Sequence, residues 1–313
     1  MKTGPRNCPT SIEIVKSEIR NPKFEIRNSA LPIGIFDSGV GGLTVYRALH
    51  ERLPDEHFVY LGDTARVPYG TKSLSTVERY AIENARFLEA HGIKLLVVAC
   101  NTASALALPA IREAVSVPVV GVIEPGAQAA VAVAAGKKIG VIATEATVQS
   151  GAYTIAIGKV DPIIDVIERA CPLFVPLAEE GWAETDVARA VAEQYLNDLV
   201  KKDVGALVLG CTHYPIMRNL ISRVIGTDVP LIDSGEAAAR EVKELLQSNR
   251  LLYPQSDRDT QDRRERRLCD DLDHFYVTDA AERFAKVAER FLGTAPSVLE
   301  AVEVWGHDEL RTH

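Results

Sequence analysis

The chain has 313 residues, 47% hydrophobic and 25% charged, which excludes a disordered chain and favours two domains over one core. A net charge of −8 excludes a general nucleic-acid binder, because phosphate contacts need a basic surface. Five scattered cysteines (Cys8, Cys100, Cys171, Cys211 and Cys269) form neither a disulfide framework nor a zinc-site spacing, which points to free thiols in a reducing cytoplasm and no metal.

Residues 1–30 carry six Lys/Arg against three Glu without clear periodicity, and read as a polar N-terminal extension. Its one apolar stretch, Ile12 to Ile19, is interrupted by Glu13, Lys16 and Glu18, so no secretory signal is expected. From Ile33 onward short apolar runs alternate with amphipathic stretches. The pattern predicts strand 33–36, helix 42–53, strand 58–62, helix 73–91, strand 94–99 and helix 102–115. It continues with strand 118–122, helix 125–135 and strands 138–143 and 162–167. Helix 185–200, strand 206–210, helix 215–225, strand 229–232, helix 235–248, strand 274–277 and helix 280–291 complete it. Continuously apolar strands separated by helices imply an α/β fold with mostly parallel sheets covered on both faces. The longest apolar tract, Val117 to Ala135, is broken by Glu124, Pro125 and Gln128, so no membrane span is expected. Residues 251–273, dense in charge around Arg263-Arg264-Glu265-Arg266-Arg267, read as an exposed charged insertion.

The chemistry-bearing residues fall where strands end. IGIFDSGVGGLT (33–44) is a strand, a glycine-rich turn and a helix start, a place where backbone N–H groups attract anions. Its spacing is neither the dinucleotide fingerprint nor the P-loop, and Asp37 can serve there as a proton acceptor or as a helix cap. LGDTARVPYG (61–70) ends in a rigid turn that presents Tyr69 and the Gly70 amide. Cys100 and Cys211 each close an apolar run and open a run of hydroxyl and amide residues: Asn101, Thr102 and Ser104 after the first, Thr212 and His213 after the second. Small cysteines are common in cores, but these polar neighbours at a strand end need hydrogen-bond partners, and they suit a small polar ligand held beside a thiol. A helix N-terminus lowers a thiol's pKa, and His213 stands two residues from Cys211, where it can stabilise a thiolate or relay its proton. Cys8, Cys171 and Cys269 lack such surroundings and read as bystanders.

FDSGVGGLTV, LGDTARVPYG, VVACNTAS and LGCTHYP, in this order, resemble the motif set of bacterial glutamate racemases, in the cofactor-independent aspartate/glutamate racemase superfamily. The segment Cys171 to Gly181 and the stretch around Phe275-Tyr276-Val277-Thr278 are similar to further family segments, so the likeness covers roughly residues 32–300. The resemblance implies interconversion of L- and D-glutamate without cofactor, supplying D-glutamate for peptidoglycan synthesis in the bacterial cytoplasm. It implies Cys100 and Cys211 as the acid/base pair, Cys100 acting on the D-isomer with Asp37 and Cys211 on the L-isomer with His213. Glu179, or its neighbour Glu180, resembles a further active-site acid.

Racemisation removes the Cα proton from one face and returns a proton to the other, which two monoprotic groups on opposite faces do directly. Glutamate's carboxylates would be met by Ser38, Asn101, Thr102, Thr212, His213 and the Tyr69-Gly70 turn, and its ammonium by Asp37 or Glu179. The resemblance also implies two similar α/β domains with the site in their cleft: 31–124 with 233–313 as the first, and 125–232 as the second. A small-molecule substrate is the expected partner, with no nucleic acid or membrane, and a homodimer is compatible with the sequence. Rival readings are an aspartate or hydantoin racemase, a non-catalytic amino-acid sensor and a thiol-redox protein. Both cysteines count against the sensor, and the absence of CxxC counts against the redox protein.

Overall fold

The structure, a computed structural model, describes residues 29–254 and 266–305. Ten strands lie within them: β1 (Ile33–Asp37), β2 (Phe58–Gly62), β3 (Leu95–Val98), β4 (Val119–Gly121), β5 (Ile139–Ala143), β6 (Val166–Ala170), β7 (Ala206–Gly210), β8 (Leu231–Asp233), β9 (His274–Val277) and β10 (Leu299–Ala301). The helices before the chain's midpoint are α1 (Leu43–Arg52), α2 (Leu74–Ala90), α3 (Asn101–Leu106), α4 (Leu108–Ala114), α5 (Ile123–Val133), α6 (Glu145–Ser150) and α7 (Ala152–Val160). After it come α8 (Phe174–Glu179), α9 (Asp186–Lys201), α10 (Arg218–Ile225), α11 (Ser234–Ser248) and α12 (Ala281–Leu292).

The strands form two separate sheets in which every pairing is parallel, in the orders β10-β9-β2-β1-β3-β4 and β6-β5-β7-β8. The central strands β1, β3, β5 and β7 are buried along their whole length, which is why they read as unbroken apolar runs. Helices cover both faces of each sheet, an α/β architecture in two domains. Helix α12 shows how: Phe284, Val287, Ala288 and Phe291 recur at helical spacing and are buried, while the opposite face is charged. In-register pairing of Phe36 with Val98 and of Ala143 with Gly210 brings the carboxyl ends of neighbouring strands level, so the loops after them share one rim.

Four local expectations need correction. The strand predicted at 162–167 lies at Val166–Ala170, because Ile163 is exposed and the real strand is a half-buried sheet edge that tolerates Glu168 and Arg169. The helix predicted over 102–115 is two helices, broken at Ala107. Helices α6 and α7 were not anticipated. Thr144 caps the first through the Thr147 amide, and Gly151, at φ 62°, ends it and opens the second. Finally, the flanks of the segment read as an exposed insertion belong to the interior. Leu251, Cys269 and Asp273 are buried, and Arg266 is held by Asp270 and Asp273. Lys94, buried against Glu56, donates to the Leu251 carbonyl. Residues 255–265 and the extension at 1–28 lie outside the described residues, Cys8 among them. No helix among the described residues is long and apolar enough to cross a membrane.

Candidate active site

Asp37 ends β1, Cys100 follows β3, Thr144 follows β5 and Cys211 follows β7, so four central strands deliver polar or reactive side chains to the facing rims of the two sheets. The rims interlock. The Thr44 hydroxyl donates to the Thr212 carbonyl at 2.8 Å, and the Thr102 hydroxyl meets that of Thr144 at 3.0 Å and of Thr147 at 3.3 Å. Gly41 faces the Thr212 hydroxyl and the His213 ring so closely that a Cβ there would collide with both. A glycine is required at that point for the first rim to approach the second.

On the first rim, the Cys100 thiol is 5% exposed and donates to the Ser38 hydroxyl at 3.6 Å. Asp37 is wholly buried. One carboxylate oxygen accepts from the Gly39 amide at 2.9 Å and the other, Oδ1, has no partner. Burial raises the Asp37 pKa above the ordinary carboxylate range, against the opposing charge of His213 and the amides of Gly39, Gly42 and Ser38. Burial, reinforced by the Asp37 charge, pushes the Cys100 thiol up to about 12. The expected lowering at a helix start is outweighed here: α3 is only six residues long, and the sulfur is out of water.

The second rim is built differently. Cys211 Sγ lies 3.8 Å from His213 Nδ1, and His213 Nε2 lies 2.9 Å from Glu179 Oε1. Burial alone would lower the His213 pKa, but hydrogen bonds to Cys211 and Glu179, with their charges, outweigh it and raise it to about 10. Burial would raise Glu179, yet its hydrogen bond to His213 and the charges of His213 and Arg283 hold it below the usual range. The acidic doublet divides: Glu180 is exposed and lies 3.8 Å from Arg283, whereas Glu179 is the one hydrogen-bonded to His213. Helix α12 adds to this side, with the Arg290 guanidinium donating to the Glu179 carbonyl and Phe291 edge-on to the His213 ring.

The structure thus brings Asp37, Ser38, Cys100, Asn101, Thr102, Thr212 and His213 to the facing rims of the two sheets, with Glu179 joined to them through His213. Tyr69 is the exception. Its hydroxyl donates to Asp63 and accepts from Asn84 at 3.1 Å, while the Tyr69-Gly70 turn packs against α6. Sequence reasoning missed Thr144 and Thr147. The Thr-x-x-Thr spacing at a strand end was the available signal, hidden because no helix had been assigned after β5. Cys171 and Cys269 are buried free thiols outside these contacts. Among the described residues no group of His, Cys, Asp or Glu is arranged to hold a metal ion.

Comparison with known proteins identifies the family and its fold. The profile of the Asp/Glu/Hydantoin racemase family matches residues 33–242. A glutamate racemase of Geobacter metallireducens is 52% identical over 261 residues, 83% of this chain and 92% of that protein. A crystal structure of a glutamate racemase isoform from Bacillus anthracis superposes with a TM-score of 0.79 at 38% identity, covering 88% of this chain and 98% of the other. The Francisella tularensis glutamate racemase in complex with D-glutamate gives 0.78 at 39%, with the same coverage. The chain therefore belongs to the Asp/Glu/Hydantoin racemase family, as an isomerase of the glutamate racemase type.

Proposed function

We propose that the protein interconverts L- and D-glutamate by two-base proton transfer between Cys100 and Cys211, without a cofactor. The observation that carries this reading is the pair of thiols on facing rims, each with its own acid–base partner: Asp37 beside Cys100, and His213 tied to Glu179 beside Cys211. Starting from L-glutamate, the Cys211 thiolate takes the Cα proton while the Cys100 thiol gives its proton to the opposite face. The product is D-glutamate, with Cys100 now ionised and Cys211 protonated. The return reaction reverses both transfers, so protons balance over each pass.

The resting ionisation suits this cycle. A neutral Cys100 is a ready proton donor, and an imidazolium at His213, 3.8 Å from Cys211 Sγ, is placed to support the negative charge that sulfur carries in the cycle. Asp37, with one unpaired oxygen, is placed to accept the substrate ammonium, whose charge would in turn ease ionisation of Cys100. Ser38, Asn101, Thr102, Thr212 and the turn amides are neutral donors for the carboxylates, holding anions without a fixed cation that competes for the thiolates. The complex of the Francisella tularensis relative with D-glutamate supports glutamate as the substrate here.

We place the domain crossings near residues 124 and 233, the cleft between the domains being the site. The cellular role is supply of D-glutamate for peptidoglycan synthesis in the cytoplasm, by a protein that can act as a homodimer. The test is incubation of the purified, reduced protein with L-glutamate and no added cofactor, followed by optical rotation. Rotation falling to zero supports the reading. Unchanged rotation with glutamate, alongside turnover of aspartate or a hydantoin, overturns the substrate assignment.

A further inference from the structure

Tyr153, on α7 of the second domain, is wholly buried and takes no part in the chemistry above, yet its hydroxyl reaches the residue next to Cys100. It donates to Asn101 Oδ1 at 2.6 Å. Asn101 Nδ2 donates in turn to the Ser234 hydroxyl at 3.3 Å, and Ser234 Oγ lies 3.4 Å from the Leu209 carbonyl at the end of β7. The tyrosine ring fills the space beside Gly210, where a Cβ would come within 3.0 Å of its Cε2. The ring therefore lies against the backbone that carries Cys211 while its hydroxyl holds the residue after Cys100.

We infer that Tyr153 is a positioning residue: its hydroxyl fixes the side-chain amide of Asn101 in the one orientation that offers N–H, rather than C=O, to a substrate carboxylate. The reasoning is hydrogen-bond accounting in a buried place. With the amide as observed, the tyrosine proton goes to Asn101 Oδ1, the serine proton goes to the Leu209 carbonyl or to the same Oδ1, each at 3.4 Å, and one Nδ2 hydrogen goes to Ser234. The second Nδ2 hydrogen is left for a ligand. With the amide flipped, the tyrosine hydroxyl loses Asn101 Oδ1 and has to turn its proton to the neighbouring Ser234 hydroxyl, and a carbonyl oxygen turns toward the anion. Binding of the substrate anion by the first domain is thus set by a side chain of the second.

The inference rests on the glutamate racemase reading and sharpens how that site recognises a carboxylate. Its test is Tyr153→Phe, which keeps the ring and removes only the hydroxyl. KM for glutamate should rise about 3- to 10-fold, the loss of one buried hydrogen bond, with kcat within about twofold of the parent. Because the enantiomers have equal free energy, kcat/KM must fall by the same factor in both directions. Loss of folded protein would lower kcat and leave KM alone, so the split separates positioning from stability. In an Asn101→Ala background, Tyr153→Phe should raise KM no further. Ser234→Ala, the second variant, should give a smaller rise of about 2- to 3-fold. A parental KM in Tyr153→Phe, or an effect that persists undiminished in Asn101→Ala, would overturn the inference while leaving the racemase intact. A parent protein that does not racemise glutamate would remove the function reading, and this inference with it.

Discussion

The two rims of the crevice carry the same reactive atom in opposite settings. Around Cys100 the protein supplies burial, a hydroxyl and a carboxylate with one oxygen unpaired, and the thiol stays protonated. Around Cys211 it supplies an imidazole anchored to an ionised glutamate, with an arginine beyond it. On the proposed two-base reading, a symmetric reaction is served by an asymmetric site, with Cys100 as a protonated thiol and Cys211 beside an imidazole tied to a glutamate. The contrast teaches that, on this proposal, the Cys100 side is the one left for the substrate to complete, by bringing an ammonium to the unpaired oxygen of Asp37.

The largest break in this comparison comes from the sulfurs. Cys100→Ala and Cys211→Ala should each reduce racemisation by about 10³-fold, measured as loss of optical rotation from either enantiomer. Asp37→Asn should cost about 10²-fold in kcat yet raise thermal stability by on the order of 1 kcal/mol, because it removes a buried charge with an unsatisfied oxygen. Calorimetry and kinetics on one preparation check both signs. Glu179→Gln should cost about tenfold and loosen His213 rather than remove it, read from kcat.

A smaller effect sharpens the contrast through pH. The folded pKa of His213 is raised to about 10, so the stability it contributes is fully present below the ordinary histidine value of about 6.5 and is lost as pH rises through about 10. The Tm gap between the parent and His213→Asn should therefore narrow across that window. Glu179 has the opposite sign. Its folded pKa is depressed, so its contribution is present above the ordinary glutamate value of about 4.3 and is lost as pH falls through the lower folded value. Arg283 is largely exposed and 3.5 Å from Glu179, so Arg283→Ala should change kcat by less than about twofold.

Much of this site was legible in the chain because parallel sheets write themselves as apolar runs, and chemistry gathers where those runs stop. Asp37, Cys100 and Cys211 all announce themselves in that way. The side chains that connect the rims did not. Thr144 and Tyr153 sit in a stretch whose helices are short and divided by Gly151, so no long period marks them. Tyr69 shows the opposite limit: a conspicuous turn does not reveal that its aromatic hydroxyl is buried and hydrogen-bonded to Asp63 and Asn84. The edge strand β6 and the interior flanks at 251–254 and 266–273 were misread for a common reason. Charged residues in β6 and at 266–273 find partners that only the tertiary structure supplies: Thr154 for Glu168, Asp198 for Arg169, and Asp270 and Asp273 for Arg266.

The central claim is that each face of the substrate has its own monoprotic base, and the most direct test is early-time isotope exchange in D₂O starting from pure L-glutamate. The account predicts that the D-glutamate formed carries solvent deuterium at Cα from the first turnovers, while recovered L-glutamate keeps its protium. Deuterium appearing in recovered L-glutamate as fast as in the product, or protium carried across into D-glutamate, would show one base serving both faces and contradict it.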